Sequence, residues 1–526
     1  MRNTSHLASA RWISKMLRRN QRVGAATAVD DVSATMTAGA PPRSGHAAEI
    51  WFAPIAVFVT ISVIFLSNTG DSLFRDPDLF WHITVGRKIL ETGSFPWTDE
   101  FSHTFRGHPW IAKEWLSQIV FAVTYDSFGW RGLAALIGCA LALTFTILFV
   151  VLAQCVRIVP ALIIALFSYS LAAPHYLVRP HMLSFPLLVL WVAGLVRAAE
   201  NRTTPSLLLL PIMTLWANLH GGFTLGLAFI VPLAIEAIHA ADPASRVRVG
   251  ARWAMFLVAA GFVSVVTPYG PYALWATYQL FGSNREALNY IIEWQPFNFA
   301  KEIYAGPLLL LALFVGLLSG LRLPLIRCLL VIGIVYMALI HVRFTALAAI
   351  IMPILFASPL ARQFVSLSKD SPDHAFAIVR NFVRRPLLLP ILSAFAALAI
   401  IFSISLPDRR PASFNMPVIA VDHIEAKAGK DKVYNDYLFG GYLIFRGIPT
   451  FVDGRTDQLF TGGFLTKLNR TLKGTGREFL QLLDEHQISL ALVRPNSADA
   501  QRLEESPTWR LVYADDIAVL YERVPK

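Results

Sequence analysis

The feature that most limits what this chain can become is its series of long uncharged apolar runs. Two of them, 203–235 and 253–284, are broken only by "NLHGG" and "TPYGPY". About 20 apolar residues are enough for a helix to cross the hydrocarbon core of a bilayer. Candidate spans lie at 50–67, 132–156, 158–174, 183–198, 206–219, 221–238, 253–267, 304–320, 326–341, 344–361 and 386–406. Of the 526 residues 55% are hydrophobic and 15% charged, and the mean hydropathy is +0.52. The expected fold is therefore a polytopic α-helical membrane protein with about 11 transmembrane helices. A net charge of +11 in a soluble protein would suggest nucleic acid. Here the basic residues form short clusters between apolar runs, which is the positive-inside pattern, and no nucleic-acid partner is expected.

Residues 1–49 read as a cytoplasmic basic tail, in which "RWISKMLRRNQR" suits either an amphipathic surface helix or a disordered segment. The first apolar run is too long and too far from the start for a cleaved signal peptide. Residues 50–406 form the expected transmembrane domain, with a large first outer loop at 68–131. Within that loop Glu114–Gly129, "EWLSQIVFAVTYDSFG", is short and carries Glu114 and Asp126, so it reads as a helix lying at the interface. Counted this way, "RRNQR", "RAAENR", "RVRVGAR", "RLPLIR" and "RNFVRRP" share the N-terminal side, which becomes cytoplasmic. By the same parity "RDPD", "HYLVRPH", "NLHGG", "TPYGPY", "IIEWQPFNF" and "HVRF" emerge together on the other face. That convergence points to an outward-facing site in a bacterial inner membrane. Cys139, Cys155 and Cys328 lie in apolar runs and show no disulfide or metal spacing.

Residues 407–526 change character and read as a periplasmic α/β domain. "KVYND", "IPTFVDG", "ISLALVRP" and "IAVLYERV" have the composition of strands. "GREFLQLLDEHQ" and "MPVIAVDHIEA" read as helices. No phosphate-cradling glycine motif opens a helix there.

Asp76 and Asp78 form an acidic pair just beyond the first span. Two carboxylates can hold a divalent cation such as Mg or Mn, one can take a proton from an acceptor hydroxyl, or Asp78 can cap the helix that follows. Arg179 and Arg343 stand at outer span ends, where a guanidinium fork either snorkels or clamps a phosphate. His181 and His220 lie at similar depth, as hydrogen-bonded structural residues or as ligands beside the acidic pair. Glu114 and Glu293 each precede a Trp at a membrane edge, where acids either mark the boundary or serve function.

The order of these features resembles the GT-C superfamily of membrane glycosyltransferases: a short basic tail, a first span, and a large outer loop with an early acidic motif, here "RDPDLFWHI". The stretch "VYNDYLFGGYLIFRGIPTFVDGR" is similar to the acceptor-binding region of oligosaccharyltransferases, although the tryptophans of that motif are absent. The resemblance implies a polyprenyl-phosphate sugar donor drawn from the bilayer, and a glycan, lipid or protein acceptor. Asp76 would act as the activating acid with Asp78 as its neighbour or metal partner. Arg343 would be the phosphate clamp, and Asp436, Tyr437, Asp453 and Arg455 would lie on the acceptor side. Two other readings stay open. A transporter or flippase would show a polar path through the membrane. A non-catalytic GT-C-like scaffold would hold Asp76, Asp78 and Arg343 far apart.

Overall fold

The computed structural model describes residues 45–68, 71–281, 288, 291–300, 304–369, 415–427 and 432–525. The basic tail up to residue 44 and the last expected span, 386–406, lie outside them. The helical part comprises α1 (Gly45–Asn68), α2 (Asp78–Thr92), α3 (Trp115–Ala153), α4 (Ile158–Ala172), α5 (Pro180–Glu200) and α6 (Leu209–Leu219). It continues with α7 (Phe223–Ala240), α8 (Arg246–Ser264), α9 (Tyr272–Phe281), α10 (Ala305–Ser319), α11 (Leu325–Ile340) and α12 (Phe344–Gln363).

Among the described residues, six helices are long and apolar enough to cross a membrane, and four shorter apolar helices accompany them. These correspond to the first ten expected spans. A helix satisfies its own backbone groups, the arrangement that hydrocarbon requires. Neighbouring helices also allow prolines inside such elements, at Pro54, Pro186, Pro232 and Pro353. Inward faces supply one continuous core, including Phe65, Phe145, Trp191, Trp216 and Ile350. Outward faces leave Met255, Val258, Phe262, Phe314, Leu318 and Ile332 exposed. A contiguous apolar surface of that kind is costly in water and neutral in lipid.

The segment expected as a separate helix over 114–129 is the first arm of α3. The helix breaks at Gly129 (φ 62°, ψ −154°), a conformation reserved for glycine, and resumes towards Ala153. The first arm packs along α2, and Arg87 on α2 donates to Asp126 at 2.9 Å. Another set of charges is tied together elsewhere in the bundle. The Arg327 guanidinium, fully buried, bonds Glu236 at 3.0 and 3.1 Å and pairs with Glu200 at 2.7 Å. The Arg157 side chain bonds the Ser366 carbonyl at 2.9 Å.

The C-terminal domain contains α13 (Val418–Glu425), β1 (Val433–Asn435), α14 (Gly440–Phe445), α15 (Phe464–Lys473), α16 (Gly476–Glu485), β2 (Leu490–Val493), α17 (Ala498–Glu504), β3 (Trp509–Ala514) and β4 (Val519–Arg523). Its sheet runs β1-β2-β4-β3, with β1 parallel to β2 and the other pairs antiparallel. Helix α16 starts with a capping box, Thr475 and Glu478 bonding each other's backbone.

Two expectations change. "IPTFVDG" is not a strand, because its backbone is used by the first loop. Thr450 forms a bridge with Ser102, and the Phe451 carbonyl accepts from the Thr104 hydroxyl at 2.8 Å. "WRLVYA" is a strand, β3, whose outward residues lack the apolar alternation that would have marked it.

The domain and the first loop share cores. Trp81, Val85, Ile89 and Trp110 pack with Tyr434, Phe451 and Phe460, and Phe80 packs with Phe439, Tyr442 and Leu443. Polar contacts repeat the connection. His103 Nε2 lies 3.0 Å from the Val433 carbonyl, and the Gln458 amide pairs with the Ile111 backbone at 3.0 and 3.2 Å. The loop and the domain are thus one body, and the acidic pair lies where they meet.

Candidate active site

Helix α2 begins at Asp78, with Pro77 at its N-cap position and no side-chain cap there. The capping expected of Asp78 is performed by Asp76, whose Oδ1 accepts the Asp78 N–H at 2.9 Å. Asp78 is then free to point its own carboxylate out of the first turn.

Arg179 reaches both acids. It precedes Pro180, which holds it extended (φ −134°, ψ 153°) at the start of α5. Its Nη2 donates to Asp76 Oδ1 at 3.0 Å and to Asp78 Oδ2 at 2.9 Å, and its Nε pairs with Asp76 Oδ2. Its Nη1 meets Glu293 Oε2 at 2.5 Å. One guanidinium therefore gathers three carboxylates. Asp76 is almost wholly enclosed, its side chain 3% exposed against 16% for Asp78. Burial pushes the Asp78 carboxyl up to about 7, and the negative charge of Glu293 adds to the effect.

Glu293 is set in place by the turn that carries Arg343. The Phe297 and Val342 N–H groups donate to the Leu339 and Gln295 carbonyls at 2.9 and 3.0 Å, and the Arg343 N–H donates to Glu293 O at 3.2 Å. The Arg343 guanidinium lies over the Trp294 ring, 4.6 Å from its centre. Among the described residues it has no ion pair and no hydrogen bond. Burial lowers its proton affinity, and Glu293 is the strongest charge acting against that.

The charge of a second acid, Glu114, also acts on Arg343. Glu114, at the start of α3, is pushed up to about 7 by burial, with Lys113 opposing the shift. His220 Nδ1 accepts the Gly222 N–H at 3.0 Å, so its Nε2 carries the proton and faces Glu114 Oε1 at 3.5 Å. Burial and Arg343 hold the His220 ring well below its ordinary value. His82 Nε2 is 4.0 Å from Glu114 Oε2, and burial lowers this ring to about 3. The rings of His181 and His220 lie 5.7 Å apart. His220 stands in the structure as a neutral neighbour of the Glu114 carboxyl group, with His181 behind it.

The C-terminal domain closes the site. Gly454 lies so close to Asp78 that a Cβ there would overlap the carboxylate. Tyr437 faces the same acid; burial and the Asp78 charge raise its phenol, which stays protonated. Asp457 pairs with Lys113. The other acceptor-side candidates are turned elsewhere. Asp436 bonds the Leu438 N–H at 3.0 Å and Arg494 at 2.8 Å. Asp453 and Arg455, both fully buried, bond each other at 2.7 and 2.8 Å, and Arg455 reaches Asp99 of the first loop at 2.5 Å. The Arg455 guanidinium sits between Phe101 and Trp110. That network joins loop to domain.

The structure thus brings together Asp76, Asp78, Arg179, Glu293, Arg343, Glu114, His220 and His181 from segments scattered between residues 76 and 343, about half the chain. Lys113, Asp457 and His82 also belong to the cluster. Lys113 stands next to Glu114 in a loop otherwise rich in aromatics, a legible signal, whereas nothing in the sequence around Asp457 distinguishes it. The acidic pair is a poor seat for a resident divalent cation. Both oxygens of Asp76 are bonded, and Asp78 gives one to Arg179 and rests the other against Gly454. As they stand, with Arg179 between the acids, no three His, Cys, Asp or Glu side chains among the described residues form a group that could hold a metal.

No family model matches the chain, and no curated protein does. Solved structures do. The oligosaccharyltransferase of Archaeoglobus fulgidus in its apo form superposes with a TM-score of 0.51 at 11% identity, over 84% of this chain and 69% of its own. The same enzyme tethered to an acceptor peptide containing the NVT sequon gives 0.51 at 12% identity, with the same coverage of 84% and 69%. ArnT from Cupriavidus metallidurans in the apo state gives 0.49 at 15% identity, over 91% of this chain and 98% of its own. The likeness to the oligosaccharyltransferase is one of fold, and that fold is the GT-C architecture which the sequence resembles.

Proposed function

We propose that this chain, built on a GT-C fold, is a membrane glycosyltransferase. It moves a sugar from a polyprenyl-phosphate donor to a hydroxyl of a glycan, lipid or protein acceptor on the periplasmic face of a bacterial inner membrane. The observation that carries the reading is the single buried cluster. In it the charge of Glu293 acts both on the raised Asp78 carboxyl and on the Arg343 guanidinium, which has no ion pair among the described residues, and the C-terminal domain covers Asp78.

In this reading Asp78 takes the proton of the acceptor hydroxyl. It is the more accessible of the two acids and is held near neutrality, where a general base works best. The acceptor oxygen attacks the anomeric carbon, the bond from that carbon to the phosphate oxygen breaks, and its electron pair leaves with the phosphate. Arg343, with donors to spare, holds that phosphate. Asp76 and Glu293 fix Arg179 and with it the position of Asp78.

A transporter would need charged groups along a path through the bundle, whereas this cluster gathers at helix ends on one side. A scaffold would keep Asp78 and Arg343 apart; that Arg179 bonds Asp78 and Glu293, and that the Arg343 N–H bonds the Glu293 carbonyl, supports the catalytic reading instead. The test is turnover of radiolabelled polyprenyl-phosphate sugars by purified protein in lipid nanodiscs, with envelope extract as acceptor. Transfer that persists at full rate after Arg343→Ala and Asp78→Asn rules the reading out.

A further inference from the structure

We propose that Arg179 is a built-in cation in the place that a divalent metal would need, so that the acidic pair works without one. This rests on the glycosyltransferase reading for its chemistry but not for its geometry. A hard divalent ion collects oxygens; Mg demands six of them in near-octahedral array at about 2.1 Å. Both oxygens of Asp76 and one oxygen each of Asp78 and Glu293 already face Arg179 Nε, Nη1 and Nη2, which leaves Asp78 Oδ1 for the acceptor and too few oxygens for such a shell.

The guanidinium is planar. It spreads its donors in a fork, matching three acids that approach from three different elements: the loop before α2, the first turn of α2, and the segment before α10. Nor does the cradle have room to spare. Asp78 is pressed by Gly454 on the side away from Arg179, and the Asp76 side chain is enclosed. A metal ion could enter only by expelling Arg179, leaving a guanidinium buried without its counter-charges, at high cost.

The function assigned to Arg179 is therefore positional. It neutralises the charge that three neighbouring carboxylates build up, and it aims Asp78 at the acceptor. Among the described residues of the cluster, Arg343 is the cation left to meet the phosphate.

The experiment titrates Mn2+ into purified protein in nanodiscs, following free Mn2+ by electron paramagnetic resonance, in parallel with turnover before and after EDTA. Wild-type protein should take up no stoichiometric Mn2+, and its turnover should stay within about twofold after EDTA or after adding Mg2+ or Mn2+. Arg179→Gln, which frees the three carboxylates, should gain one Mn2+ per chain, and Asp76→Asn in that background should abolish it. Uptake of one Mn2+ by the wild type that Asp76→Asn removes overturns the proposal. So does a tenfold or greater loss of turnover on EDTA that Mn2+ restores, or a folded Arg179→Gln protein that binds none. If Arg179→Gln does not fold, the wild-type titration decides alone. Absence of turnover in every condition would instead sink the functional reading, while the Mn2+ titration would still decide the cation.

Discussion

Asp78 and Glu114 are carboxylic acids held near pH 7 inside protein, and each is costly to the fold when ionised. Glu114 goes from 4.5 to about 7 on folding, so between those values the folded chain binds more protons than the unfolded one. Stability therefore falls as pH rises through that window and levels off above it. Glu114→Gln should raise the melting temperature at pH 8 by a few degrees and leave it nearly unchanged at pH 4, as differential scanning fluorimetry would register. A rise of equal size at both pH values would contradict the assignment. Asp78 carries the same cost and, in the proposed function, also performs the chemistry. Its base must be ionised, so kcat/KM should climb about tenfold per unit below pH 7 and flatten above. Asp78→Asn should lower kcat by about 10²–10⁴. The acidic pair was legible in the sequence as two carboxylates beside a span. The division of labour within it was not, because it depends on which acid Arg179 encloses and which one Gly454 touches, both far away in the chain.

At the scale of elements, the spans were readable because hydrocarbon imposes one rule on all of them, a long apolar run with internally bonded backbone. The break in α3 was readable for a similar reason, since Gly129 ends a short charged segment. The strands were harder. β2 and β4 are apolar on every buried residue and declare themselves, whereas β3 lies at the sheet edge with a mixed pattern. "IPTFVDG" looked like a strand by composition and instead lends its backbone to the first loop. That loop–domain joint gives its own prediction. Arg455→Met leaves Asp453 and Asp99 buried without their counter-charge, a loss of about 3–5 kcal/mol. Limited proteolysis should then cut between residues 93 and 115, where the wild-type loop is protected. Gly454→Ala should act on the site instead. The added methyl must displace Asp78, so turnover should drop at least tenfold with little change in melting temperature.

For the whole molecule, positive charges between apolar runs set one side of the membrane, and the unusual polar residues gather on the other. The structure turns that one-dimensional parity into a single body. The helix ends present Arg179, His220 and Arg343, the first loop presents Asp76, Asp78 and Glu114, and the C-terminal domain covers them. If the body faces the periplasm, a tag on the C-terminus should be reached by a membrane-impermeant reagent in intact spheroplasts. The central claim of the proposed function is that Arg343, without an ion pair among the described residues, awaits the phosphate of a lipid-linked sugar. It is tested most directly by the affinity of the purified protein in nanodiscs for undecaprenyl phosphate. Binding should be saturable and fall about 10- to 100-fold in Arg343→Ala, the worth of one charge-assisted hydrogen-bonding group, with Arg362→Ala as an unaffected control. Equal affinity in the wild type and Arg343→Ala would contradict it.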